Sequence, residues 1–153
     1  MTGDTRKPSE TLILLVEDDE SLLRLSTHVL EMAGYRVVAM PESESALHRA
    51  KNRRDETYHL LLTDVRMDPH MSGARLAHQL RQDRPDLKVL YMTAFPASEI
   101  VLRESATGQA GLLRKPFTPT GLLEAVRKAL LAETAKAESA APGGSAPGMA
   151  QGI

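Results

Sequence analysis

The chain has 153 residues, 42% hydrophobic and 25% charged, with a formal net charge of -1. That composition suits one globular domain with its own core and leaves little room for a second, and the near-neutral balance gives no electrostatic footprint for nucleic acid or an anionic membrane. Cysteine is absent, which excludes disulfides, thiolate metal sites and cysteine nucleophiles. No apolar run approaches the roughly 20 residues of a membrane helix, and the stretch Met1-Thr2-Gly3-Asp4-Thr5-Arg6-Lys7-Pro8 has no apolar core of a signal peptide. A soluble, cytoplasmic protein is expected. Aromatics are only 3% and tryptophan is missing, so Leu, Val, Ile, Ala and Met must build the core.

Residues 1–10 read as a flexible N-terminus, and the domain is expected over 11–132. Leu12-Ile13-Leu14-Leu15-Val16 is apolar on both faces, as a buried parallel strand is. Glu20 to Ala33 carries Leu22, Leu25, Val29, Leu30 and Ala33 at helical spacing, with Gly34 as its stop. Arg36 to Met40 reads as a second strand, and Ser43 to about Arg54 as a helix that faces Ala46, Leu47 and Ala50 inward. The run Arg49-Ala50-Lys51-Asn52-Arg53-Arg54 reads as its solvated end. The third strand, His59 to Thr63, ends at Asp64.

After a loop, Ser72 can cap a helix carrying Leu76, Ala77 and Leu80, which must stop near Arg84 because Pro85 follows. Leu87 to Thr93 reads as strand four, Pro96 to Ala106 as a short helix and Gly111 to Arg114 as strand five. The last helix begins with Thr118 as cap and Pro119 in its first position, and presents Leu122, Leu123, Val126 and Leu130. Residues 133–153, rich in Ala, Gly, Pro and Ser, read as a disordered tail. The five histidines lack metal-ligand spacing and read as solvated, although His70 lies in the loop near the strand ends. The seven methionines read as core filler.

Five βα units in succession favour a parallel sheet covered by helices on both faces, with right-handed crossovers. Ligands of such sheets collect beyond the carboxyl ends of the strands, where strand order reverses. Those ends supply Glu17-Asp18-Asp19-Glu20, then Asp64, Thr93-Ala94 and Lys115-Pro116. If strands one, three, four and five are neighbours, Asp18, Asp19, Asp64, Thr93 and Lys115 converge on one rim. Two unit charges 4 Å apart repel by about 1 kcal/mol in water and about 4 kcal/mol at the effective dielectric of a protein surface. Three carboxylates therefore need a cation or protons, and an all-oxygen donor set suits a hard ion, Mg²⁺ or Mn²⁺. Such an ion, a lysine and a hydroxyl are what a transferring phosphoryl group requires, and one of the carboxylates can serve as its nucleophile.

The segments Glu17-Asp18-Asp19-Glu20, Leu62-Thr63-Asp64-Val65-Arg66-Met67, Tyr91-Met92-Thr93-Ala94 and Lys115-Pro116-Phe117 resemble the receiver domain of bacterial two-component response regulators, in order and at the family's intervals. The resemblance runs from about Thr11 to Leu131, and it implies the flavodoxin-like (βα)5 fold with strand order 2-1-3-4-5. It implies Asp64 as phosphoacceptor, Asp19 as direct metal ligand, Asp18 acting through water and the backbone carbonyl of Arg66 as a further oxygen. Thr93 resembles the switch hydroxyl, Ala94 its small neighbour, and Lys115 the ammonium that pairs with the acceptor. A cis bond is expected between Lys115 and Pro116.

The implied function is a phosphoacceptor signalling module rather than an enzyme. A histidine kinase or histidine phosphotransfer protein would donate to Asp64 in a Mg²⁺-dependent reaction, and a downstream protein would read the face of helix four, strand five and helix five. The protein would be a monomer or weak homodimer, of the stand-alone kind or similar to receivers of hybrid histidine kinases. At four positions the sequence departs from the family pattern: Asp68 looks like a one-residue insertion, Leu112 stands where many receivers carry an aromatic, and Arg66 and Phe95 are bulky at positions that influence dephosphorylation. Two other readings compete. One is a Mg²⁺-dependent phosphatase with an aspartyl-phosphate intermediate, disfavoured because its usual Asp-x-Asp is absent after strand one. The other is a degenerate receiver that acts only by binding.

Overall fold

The computed structural model describes residues 6–67, 71–94 and 99–132. Five parallel strands, β1 (Leu12–Val16), β2 (Arg36–Met40), β3 (Leu60–Asp64), β4 (Lys88–Thr93) and β5 (Gly111–Arg114), form one sheet in the order β2-β1-β3-β4-β5. The helices that return the chain are α1 (Glu20–Met32), α2 (Ser43–Asn52), α3 (Gly73–Asp83), α4 (Glu99–Ala106) and α5 (Pro119–Leu131). The expected fold class and strand order are therefore both found.

Side chains of a strand alternate between faces, and the core divides accordingly. Leu12, Leu14 and Val16 of β1, with Leu61, Val89 and Tyr91, pack beneath α2, α3 and α4 against Ala46, Ala50, Leu76, Ala77, Leu80 and Val101. Ile13 and Leu15, with Leu60, Leu62, Leu90 and Met92, pack beneath α1 and α5 against Leu30, Leu122, Val126 and Leu130. The central strands β1 and β3 are buried along their whole length, which is why they read as uninterrupted apolar runs. Each fully buried Leu or Ile contributes about 1.5–3 kcal/mol, and this two-sided burial sets the register that brings Val16 beside Met40 on one side and Thr63 on the other.

Local chemistry sets the ends. The side chains of Asp19, Ser72 and Thr118 accept the N–H groups of Leu22, Arg75 and Gly121 and so cap α1, α3 and α5. Gly34 follows α1 with φ of 100°, a left-handed conformation suited to glycine. Within the N-terminal segment expected to be flexible, Pro8–Glu10 form a 3-10 turn. The tail at 133–153 lies outside the described residues.

Three further expectations are corrected. Leu25 is 52% exposed rather than inward-facing, and Ser26 takes the buried position one residue on. His59 is not simply solvated: its Nδ1 accepts the N–H of Leu12 at 2.9 Å, at the entrance to β1 and β3. Arg49 does not end in solvent: it forms a two-pronged ion pair with Glu56, at 3.0 and 2.7 Å. The covered face of α1 is shifted by one residue from the one periodicity suggests, and the partners of His59 and Arg49 come from packing that periodicity does not show.

Candidate functional site

The carboxyl edge of the sheet collects one short segment from each central strand. Immediately after β1, Glu17 is buried to 1% exposure and its N–H donates to the Met40 carbonyl at 3.2 Å. Its Oε2 accepts the N–H of Asp19 at 3.0 Å, so the carboxylate is oriented from its own loop. Asp64 closes β3, and the next N–H, that of Val65, donates to Met92 of β4 at 3.0 Å. Beyond β5, the N–H of Lys115 donates to the Thr93 carbonyl at 2.8 Å, and the Lys115–Pro116 peptide is cis.

Lys115 Nζ then lies between two acids. It donates to Glu17 Oε1 at 2.7 Å and to Asp64 Oδ2 at 3.2 Å. Asp64 Oδ1 also accepts the N–H of Arg66 at 3.4 Å. Glu17, Asp18 and Asp64 each offer an oxygen within 4.8 Å of the others, so three carboxylates crowd a site whose ammonium pairs with two of them. Burial pushes the Asp64 carboxyl above the usual carboxylate range, offset by Lys115 and reinforced by the charge of Asp18. Burial likewise raises Glu17, again against the pull of Lys115. For Lys115 burial works downward, but the ion pairs to Glu17 and Asp64 outweigh it and the ammonium is held more firmly than usual.

Surplus negative charge with only oxygen donors among the described residues, one of them on exposed Asp18, fits a hard divalent cation. The backbone beneath the acceptor is tightly packed. A Cβ on Gly73, the first residue of α3, would lie 2.1 Å from the Asp64 carbonyl oxygen, while the Gly73 N–H donates to Val65 at 2.9 Å. Glycine there lets α3 start directly against the end of β3.

Of the residues expected at the rim, Asp18, Asp64 and Lys115 come together and Thr93 ends β4 beside them, 3% exposed. The acidic pair, however, is displaced by one residue: it is Glu17 and Asp18, not Asp18 and Asp19. Asp19 Oδ1 accepts the Leu22 N–H at 3.0 Å and caps α1, a role that the start of the helix at Glu20 demands. Glu17 was missed, although the end of the apolar run at Val16 was a usable signal, because the first residue beyond a buried strand stands nearest the rim. Ala94 is exposed after Thr93. Leu112 is half-buried on β5, in register with Tyr91. Phe95, Asp68 and His70 lie outside the described residues.

Comparison with known proteins settles the family. The family model of the response regulator receiver domain matches residues 13–127. The chain belongs to that family. It is therefore a phosphoacceptor signalling module of the two-component type, and the phosphatase reading is not favoured. It is 38% identical over 120 residues to the response regulator receiver protein CpdR of Brucella abortus, spanning 78% of this chain and 97% of that one. It is 34% identical over 130 residues to the response regulator protein FleR of Pseudomonas aeruginosa, spanning 85% of this chain but 27% of FleR. Among solved structures, the chemotaxis protein CheY4 of Vibrio cholerae superposes with a TM-score of 0.68 at 29% identity, covering 78% of this chain and 98% of that one. A CheY-like receiver domain from Methanospirillum hungatei superposes with a TM-score of 0.68 at 30% identity, covering 78% and 93%. Among the described residues no helix is long and apolar enough to cross a membrane.

Proposed function

We propose that Asp64 is the phosphoacceptor, that Lys115 and Thr93 serve it, and that Glu17, Asp18, Asp64 and the carbonyl of Arg66 hold a Mg²⁺ or Mn²⁺ ion. The observation that carries this reading is the single ammonium of Lys115 shared between Glu17 and Asp64, with Asp18 in the same group. In the transfer a carboxylate oxygen of Asp64 forms the new P–O bond, while the bond from phosphorus to the donor's imidazole nitrogen breaks. Lys115 Nζ is already within hydrogen-bond reach of the acceptor and can follow the charge onto the phosphoryl oxygens. A bound divalent ion supplies charge neutralisation for those oxygens. Thr93, at the end of the neighbouring strand, provides the hydroxyl that reports the modification.

The donor in this reading is a histidine kinase or a histidine phosphotransfer protein. The reader is a protein that docks on the face of α4, β5 and α5, where Leu102 and Leu131 are 50% and 51% exposed. Incubation with acetyl phosphate and Mg²⁺, followed by intact mass, tests the central assignment. Native protein is expected to gain one phosphoryl mass, and Asp64→Asn or a chelator is expected to abolish it. An adduct that survives Asp64→Asn rejects Asp64 as the acceptor.

A further inference from the structure

Helix α4 is an eight-residue element, and among its described side chains the one fully buried is Val101. Such a short helix gains little from burial and is marginal by itself. A polar contact from the sheet reaches it. Tyr91 of β4 is 0% exposed, and its hydroxyl donates to Glu104 Oε1 of α4 at 2.9 Å. Arg81 of α3 stands behind the same oxygen, with Nη1 at 3.7 Å, and its guanidinium also donates to the Gln109 carbonyl just beyond α4. The Glu104 carbonyl accepts the N–H groups of Gln109 and Ala110 at 2.8 and 3.2 Å, which closes the helix and starts the turn into β5.

Three elements therefore meet on one carboxylate. Burial, then the nearby Glu104 charge, pushes the Tyr91 phenol well above its ordinary value, so it stays a donor. Tyr91 is also two residues before Thr93 on β4, and by strand alternation both side chains project to the same face of the sheet, roughly 6.6 Å apart along the strand. The residue opposite Tyr91 on β5 is Leu112, which has no polar group to compete for Glu104.

We propose that Tyr91 is a positioning residue: its hydrogen bond to Glu104, backed by Arg81, latches α4 to the sheet, and phosphorylation of Asp64 loosens that latch through the adjoining Thr93. The second half rests on the acceptor reading above; the first does not. A hydroxyl that leaves its place at the end of β4 changes the packing on the face that holds the Tyr91 ring. The phenol cannot follow without giving up Glu104, because it is buried away from water that could replace the bond. Loss of the latch frees the very helix whose outer side carries exposed Leu102.

The test is amide hydrogen exchange on the whole chain, native and Tyr91→Phe, with and without acetyl phosphate and Mg²⁺. Unphosphorylated Tyr91→Phe is expected to exchange the amides of 101–106 about tenfold faster than native protein, with β1 and β3 unchanged. Phosphorylation of native protein is expected to speed the same amides, and to add little in Tyr91→Phe. Glu104→Gln keeps an acceptor oxygen for the phenol and is expected to fall between the two. With three tyrosines in the chain, the ring resonance of Tyr91 is identified by its loss in Tyr91→Phe, and it is expected to shift on phosphorylation. The latch is overturned if α4 exchanges equally in native protein and Tyr91→Phe. Its link to phosphorylation is overturned if the Asp64 adduct forms while the α4 amides and the Tyr91 resonance stay where they were. Absence of any adduct in native protein rejects the acceptor reading and the link together, and leaves the unphosphorylated comparison to decide the latch.

Discussion

Charged clusters sit at both ends of the sheet, and they are built on opposite plans. At the amino edge Glu56 is surrounded by cations. Arg49 grips its carboxylate at 3.0 and 2.7 Å, Arg53 approaches to 3.5 Å, and the Tyr58 hydroxyl donates to it at 2.6 Å. Arg84 lies 4.8 Å over the Tyr58 ring and donates to the backbone at Ala50 and Glu56. At the carboxyl edge three acids cluster and Lys115 pairs with two of them, Glu17 and Asp64. The ionisation follows the plan. The hydrogen bond from Arg49 lowers the Glu56 carboxyl to about 2, whereas burial raises Glu17 and Asp64. Satisfied charge marks a cluster that holds the fold, and surplus charge marks one that waits for a ligand.

Removing the shared cation at the carboxyl edge is expected to have the largest effect. Lys115→Ala leaves two buried acids facing each other and deprives the phosphoryl oxygens of their ammonium. The rate of adduct formation from acetyl phosphate is expected to fall about 100-fold, the scale of losing one preorganised charge donor. A rate within a few-fold of native would break the reading of Lys115 as part of the site.

At the amino edge, Glu56→Gln is expected to destabilise the fold by about 2 kcal/mol, because it strips the charge-assisted pair that partly buried Glu56 makes with Arg49. Urea unfolding at constant m reads this directly. The acid dependence sharpens the comparison. Glu56 is depressed in the folded state from an ordinary value of 4.5, so its contribution is fully present above about 4.5 and is lost as pH falls through about 2. The stability gap between native protein and Glu56→Gln should therefore narrow across that interval; a constant gap would remove the ion pair as its cause.

The smallest expected effect has the opposite sign. Asp18→Asn relieves repulsion among the three acids and is expected to stabilise the protein by about 1 kcal/mol in chelated buffer. Added Mg²⁺ should then raise the melting temperature of native protein and leave that of Asp18→Asn nearly unmoved. If Asp18→Asn destabilises as Glu56→Gln does, the two edges do not differ in kind.

Much of this was legible in the chain. The bounds of β1, β2 and β5, and the caps at Ser72 and Thr118, stand where hydrophobic periodicity and capping preference put them. Asp64 was legible because a charged residue ending an apolar strand has no packing reason to be there, and Lys115 because Lys115-Pro116-Phe117 stands in order with the other strand-end segments. The roles within the run Glu17-Asp18-Asp19-Glu20 were not. Four consecutive acids look alike in one dimension, and only the start of α1 at Glu20 makes Asp19 a cap and leaves Glu17 and Asp18 at the rim. Leu25 and Ser26 were misjudged for a similar reason: adjacent residues on a helix differ by 100° in direction, and the neighbouring layer decides which is covered.

By itself the sequence determined the alternation of strands and helices, since that depends on local periodicity and on residues within a turn of one another. It also determined which chemistry the strand ends could support. The tertiary structure decided the pairings between elements, whether distant in the chain, as Lys115 with Glu17 and the His59 ring with Leu12, or nearer, as Arg49 with Glu56 and Tyr91 with Glu104. Each depends on which side chains packing brings within about 3 Å, and that distance is set by the whole sheet and its two helical layers.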